Sequence, residues 1–266
     1  MVYNSISGAT TLSWTSVTSS YSTASSDGGY YYSTGGTNMD ITINSFTYSY
    51  SSAGSGGSGG SFYLSNSGYT NFAWTTGSAS YVSANLHGGF IYKELGTTFN
   101  FNFKSVTSYQ TSASSGNGGF ASISTDPSAG TTGTLSISNC NNLQYSSASL
   151  DGGLFYFGGS SSNTITITSS AFQYCSASQN GGVFSAENTG TTSFTMTSVA
   201  LNYNSASQNC TILEVKDTSL IGIIVSPCRS TGCCFVTCNG YSDLPLSIYD
   251  SSIYTSIVLE SRVFLY

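Results

Sequence analysis

Apolar and polar residues alternate with period two in three short stretches that recur along the chain, the pattern of strands buried on one face. The clearest reads Leu12-Ser-Trp14, Ile41-Thr-Ile43, Phe72-Ala-Trp74, Phe101-Asn-Phe103, Leu135-Ser-Ile137, Ile165-Thr-Ile167 and Phe194-Thr-Met196. Another follows a glycine pair: Phe62 and Leu64, Phe155 and Phe157, Phe184 and Ala186, Leu213 and Val215. The third ends three residues before a recurrent alanine, on Tyr21, Tyr50, Tyr81, Tyr145, Tyr174 and Tyr203; Gln110 breaks this column, with Tyr109 beside it.

The alanine itself falls at Ala24, Ala53, Ala84, Ala113, Ala148, Ala177 and Ala206, at intervals of 29, 31, 29, 35, 29 and 29 residues. Such a period means stacked repeats. Twelve residues after the second glycine of each pair comes an apolar residue: Ile41 after Gly29, Phe72 after Gly60, Phe101 after Gly89, Ile165 after Gly153, Phe194 after Gly182. The unit starting at Gly119 needs sixteen to reach Leu135, because "STDPSAGTTG" is inserted. Length variation collects between strands, as it does in turns.

Three strands per ~30 residues without a helical segment predict an all-β chain, a parallel β-helix of about seven coils of 29–35 residues. Its hand is expected to be right, by the rule for parallel crossovers. The repeats cover residues 1–225, with the first coil incomplete, and 226–266 read as an irregular Cys-rich terminal segment. Coils stacked at about 4.8 Å would make a rod of roughly 34 Å. The residue before each glycine pair is Asp27, Ser58, His87, Asn117, Asp151, Asn180 or Asn209, forming a corner ladder. Asn and Asp tolerate the left-handed region and bond to nearby backbone, and glycine permits tight stacking.

The stretches "GGFIY", "GGLFY" and "GGVFS" resemble the polymorphic outer-membrane protein repeat of chlamydiae, over about residues 10 to 225. The companion Phe-x-x-Asn signature is replaced by "FQYCSAS" or "LNYNSAS". The resemblance implies a pectin-lyase-like right-handed β-helix and a surface or adhesive role.

Only 6% of residues are charged, while 20 Tyr and 15 Phe set the chain apart from disordered polar sequences. Five Lys and Arg against eleven Asp and Glu give a net charge of −6 and leave no basic stripe for nucleic acid. No apolar run is long enough for a membrane span. The opening "MVYNSISGATTLSW" lacks the basic and apolar regions of a signal peptide. Both ends look open, which suits either a piece of a longer protein or end-to-end stacking.

Cys228, Cys233, Cys234 and Cys238 crowd together at a spacing that is no standard zinc pattern, and the only His is His87. They read as a disulfide cluster and imply an oxidising compartment, extracellular or at the cell surface. Cys140 and Cys175 fall in different columns and do not look like a pair across adjacent coils. No two carboxylates sit on adjacent coils as a glycosidase needs, except Glu187 and Asp217 in turns. No catalytic, cofactor or metal residues are therefore assigned.

If Phe62, Ile91, Phe155 and Phe184 point inward, strict alternation puts Tyr30, Tyr32, Tyr63, Phe90, Tyr92, Phe120, Leu154, Tyr156 and Val183 outward, as an apolar interaction stripe. The expected function is a non-enzymatic structural or adhesive module of an extracellular surface protein or fibre. Its expected partners are copies of itself, or other surface proteins and glycans. The alternative is a carbohydrate-binding or polysaccharide-cleaving β-helix.

Overall fold

The computed structural model describes residues 2–5, 7–125, 131–159, 161–188, 192–208, 213–215, 220–231, 236–238 and 246–248. The chain winds as an all-β solenoid of about seven turns, and each strand pairs in parallel with its counterpart one coil away. The six strands that follow the glycine pairs are joined by Val2–Ser5 before them and by Leu213–Val215 and Val236–Cys238 after them in one sheet of nine. The anchor column pairs in register from Leu12 through Ile41, Phe72, Phe101, Leu135, Ile165 and Phe194 to Ile223. The insertion after Gly119 leaves this register intact, since Phe101 still faces Leu135 and Leu135 faces Ile165.

Three recurrent positions per coil take positive φ and make the cross-section three-cornered. The first corner holds Ser16, Ser45, Thr76, Ser105, Asn139, Ser169 and Ser198, and the second Tyr21, Tyr50, Tyr81, Gln110, Tyr145, Tyr174 and Tyr203. The third is the first glycine of each pair, such as Gly88 at φ 63°. The second glycine does different work, lying where the adjacent coil passes close.

The interior is a set of aligned stacks. Ile41, Phe72, Phe101, Leu135, Ile165 and Phe194 are buried, as are Ile43, Trp74, Phe103, Ile137, Ile167 and Met196 beside them. Phe101→Ala is therefore expected to cost about 2–5 kcal/mol, as buried large-to-small changes do. Thr166→Ala, between two buried isoleucines on the partly exposed face, is expected to stay within about 0.5 kcal/mol. Urea midpoints of the two variants check the facing; equal losses would mean the strand is rotated by one residue.

Two sequence expectations need correction. Phe90, Phe120, Leu154 and Val183 do not face outward: all four are buried in the core, and Tyr30 packs against it. The cause is a bulge repeated at the glycine-pair corner of successive coils. The N–H groups of Phe90 and Ile91 both donate to the carbonyl of Phe120, at 2.8 and 3.0 Å. Those of Phe120 and Ala121 converge on Leu154, and those of Leu154 and Phe155 on Val183. Two consecutive N–H groups on one carbonyl put two consecutive side chains on the same face, so alternation cannot be carried back through the bend. Phe90 stacks on Trp74 at 4.9 Å and on Phe120 at 5.1 Å.

The other correction lies beyond Val225, where parallel pairing continues in Leu220–Thr231, Val236–Cys238 and Leu246–Ile248. Leu213 faces Val236 and Ile223 faces Leu246, an offset of 23 residues. A shorter coil without a glycine pair escapes a search for the 29-residue period. The backbones of Cys228 and Cys238 lie in these strands, facing Val199 and Val215. Cys233, Cys234 and the expected disulfide cluster lie outside the described residues. Cys140 and Cys175 are buried free thiols, in keeping with their separate columns.

Candidate interaction surfaces

The corner ladder is a chain of side-chain-to-backbone bonds running along the rod. Asp27 Oδ1 accepts the N–H of Ser58 at 2.7 Å, and Ser58 Oγ accepts that of His87 at 3.3 Å. His87 Nδ1 accepts the N–H of Asn117 at 3.1 Å, and Asn117 Oδ1 accepts that of Asp151 at 3.0 Å. Asp151 Oδ1 then accepts both the N–H and the side-chain amide of Asn180, each at 2.9 Å. Asn209 lies outside the described residues. Each member thus holds the backbone of the next coil, a use for Asp27, His87 and Asp151 that needs no chemistry. Because Nδ1 of His87 is an acceptor, the neutral ring with its proton on Nε2 is the form that fits. Burial lowers the His87 pKa from its ordinary value, against the smaller opposing pull of Glu94.

Beside this corner runs the outer face of the glycine-pair sheet, where the rest of the expected stripe does stand. Tyr32 stacks on Tyr63 with centroids 4.8 Å apart, and Tyr92 lies 5.6 Å from Tyr63 with its ring tilted by 51°. Ser122 interrupts the column before Tyr156. The Tyr63 hydroxyl donates to the Glu94 carboxylate, and Tyr156 donates to Glu187 at 2.8 Å. His87 stacks on Tyr92 at 5.5 Å. Burial, then the nearby acids Glu94 and Asp27, push the Tyr92 pKa up to about 12. Burial likewise raises Tyr63, with the Glu94 bond adding to it. Tyr63 is buried, Tyr32, Tyr92 and Tyr156 are partly so, and the carboxylates that hold Tyr63 and Tyr156 keep the column from being a bare apolar stripe. Asp217, the suggested neighbour of Glu187, lies outside the described residues.

Lys93 occupies an inward position on the same strand, between Leu64 and Ile123 in register. It is 1% exposed, and its amine donates to the backbone carbonyls of Glu94, at 3.1 Å, and Leu95. Burial drags its pKa from 10.5 to about 7, against the weaker pull of Glu94.

Among the described residues, seven of the ten large apolar side chains that stand exposed were legible only as a column of the repeat. Tyr21, Tyr50, Tyr81, Tyr109, Tyr145, Tyr174 and Tyr203 form one continuous ladder of rings along the rod. Tyr21–Tyr50, Tyr50–Tyr81, Tyr145–Tyr174 and Tyr174–Tyr203 stack with centroids 4.8–5.1 Å apart and planes within 9°. In the fourth coil Gln110 takes the left-handed corner, and Tyr109 supplies the ring from one residue earlier. That ring sits edge-on, 5.5 Å from Tyr81 and 5.2 Å from Tyr145, and so closes the gap. Exposure runs from 39% at Tyr109 to 75% at Tyr21. A non-glycine residue at positive φ costs about 1–2 kcal/mol, and stacking on each neighbour returns about 0.5–1.5 kcal/mol. An interior ladder tyrosine, with two neighbours, roughly offsets its own strain.

The surroundings of the ladder are uncharged. The segments 18–24, 47–53, 78–84, 107–113, 142–148, 171–177 and 200–206 contain no Asp, Glu, Lys, Arg or His. Among the described residues, no group of three His, Cys, Asp or Glu side chains is placed to hold a metal, and no helix is long and apolar enough to cross a membrane. Searches against family models, curated proteins and solved structures find no match to this chain.

Proposed function

We propose that the chain is a non-enzymatic structural or adhesive module of an extracellular surface protein or fibre, and that it meets a second copy of itself through the tyrosine ladder. The observation carrying this reading is the ladder itself: exposed, uncharged, and continuous from Tyr21 to Tyr203. Tyrosine is favoured at interfaces because it buries a large rigid ring and keeps a polar tip. A net charge of −6 opposes association elsewhere on the surface, whereas a neutral stripe adds no repulsion. The glycine-pair repeat, with its resemblance to a bacterial surface-protein repeat, supports the extracellular setting.

Sedimentation over a range of concentrations tests the reading. Tyr81→Ser with Tyr145→Ser is expected to weaken association at least about 30-fold, the effect of losing one interface hot spot. A parent chain that stays monomeric at high concentration would remove the contact surface. Turnover of a polysaccharide, lost in Glu94→Gln, would favour the rival reading, which draws on the adjoining rings of Tyr32, Tyr63 and Tyr92 beside that carboxylate.

A further inference from the structure

We infer that the tyrosine ladder is an oxidative modification site, at which a peroxidase-class oxidant joins phenols of adjacent coils by carbon–carbon bonds. Three conditions favour such a link: an exposed ring, a second phenol in contact with it, and a hydroxyl not tied to the protein. The ladder meets all three. Its rings are exposed and in contact. None of its hydroxyls bonds to a described residue, whereas those of Tyr63, Tyr69 and Tyr156 are held by Glu94, Asp40 and Glu187. Elsewhere the conditions separate. Tyr69 is exposed but has no ring partner among the described residues, Tyr48 is buried, and Tyr63 stacks on Tyr32 but is only 9% exposed.

The chemistry balances with hydrogen peroxide as the oxidant. Each of two phenols gives up its hydroxyl hydrogen atom, leaving two phenoxyl radicals. Their unpaired electrons form one bond between ring carbons ortho to the oxygens. The two hydrogens on those carbons then move to the oxygens and restore both phenols. Two protons and two electrons have left the chain, and they reduce one hydrogen peroxide to two waters. Parallel stacking does not itself align the carbons for bonding. Exposed rings can swing their outer edges together about the side-chain torsions while the corner backbone stays in place. The partner is always one coil away, so coupling within a chain outruns coupling between dilute chains. Each link would add a second covalent tie between two coils that are otherwise joined by one passage of the backbone, hydrogen bonds and packing.

The full chain is treated with a haem peroxidase and hydrogen peroxide, and its monomeric fraction is analysed by dityrosine fluorescence, intact mass and peptide mapping. Expected are links joining Tyr21 to Tyr50, Tyr50 to Tyr81, Tyr145 to Tyr174 and Tyr174 to Tyr203, each lowering the mass by two hydrogens. The double variant Tyr50→Phe, Tyr174→Phe keeps the rings but removes one phenol from every one of these pairs, and should lose most of the fluorescence. The mapping on the unaltered chain stands even if that variant folds poorly. Links falling mainly on Tyr32 and Tyr63, or an equal yield from chain unfolded in guanidinium, would overturn the inference. Association is measured separately before oxidation. A chain that never associates yet still links would remove the self-contact reading and leave this one standing.

Discussion

Gly89→Ala is expected to cost about 3 kcal/mol or more, at the upper end of what overpacking does. A β-carbon there would lie 2.1 Å from the carbonyl oxygen of Gly119 and 2.6 Å from both the nitrogen and the oxygen of Ser112. All three are backbone atoms of the adjacent coil, so no side chain can turn aside. The coils would have to separate at a corner where Gly89 donates its N–H to Gly118 at 3.1 Å and Phe90 donates to Phe120 at 2.8 Å. Two other glycines calibrate the effect. Gly56, at φ +76° with nothing near its would-be β-carbon, should lose only the strain of a left-handed alanine, about 1–2 kcal/mol. Gly8, with open space and no positive φ, should lose almost nothing. Denaturant unfolding of the three variants checks the order. If Gly89→Ala costs no more than Gly56→Ala, the coils do not touch at that corner.

Lys93→Met is expected to act in the opposite direction, raising stability on the order of 2 kcal/mol at pH 7 and below. The folded pKa of about 7 lies well under the ordinary 10.5, so the unfolded chain holds the extra proton between these values. Stability therefore has its full value above pH 10.5, falls as the pH drops towards 7, and levels off below it. At about 1.4 kcal/mol per pKa unit the fall amounts to a few kcal/mol. Methionine removes it but leaves the carbonyls of Glu94 and Leu95 without their donor, at about 1 kcal/mol for each bond. The variant should thus gain in neutral solution and lose slightly above pH 10.5, with the sloping limb of the wild-type curve gone. Urea unfolding across that range checks it; an unchanged slope would mean that the amine reaches water.

The coils and their register were readable because period-two alternation and a constant twelve-residue offset both report strands, and Phe101 faces Phe72 and Leu135 as the spacing requires. The outer face was only half readable. Tyr32, Tyr63, Tyr92 and Tyr156 follow from alternation, but Phe90 and Leu154 do not, because a bulge is a hydrogen-bonding event with no residue signature of its own. The aromatic ladder was visible as a column with a gap at Gln110. That Tyr109 fills the gap depends on where its ring swings, which spacing cannot tell. Lys93 has no column of like residues to mark it in the sequence. Its burial follows from sharing an inward position with Leu64 and Ile123, whose alternation is short and easily passed over.

Because the interior strands pair with the coil before and the coil after, the inter-strand hydrogen bonds lie along the rod, in line with a pull on its two ends. Such a load opens one coil interface at a time, beginning at an end, and each released coil of 29 residues pays out about 100 Å of extended chain. That is some twenty times the roughly 4.8 Å it occupied when wound. Mechanically the solenoid is a spool: short and stiff at rest, and able to absorb work in small repeated steps when its ends are drawn apart.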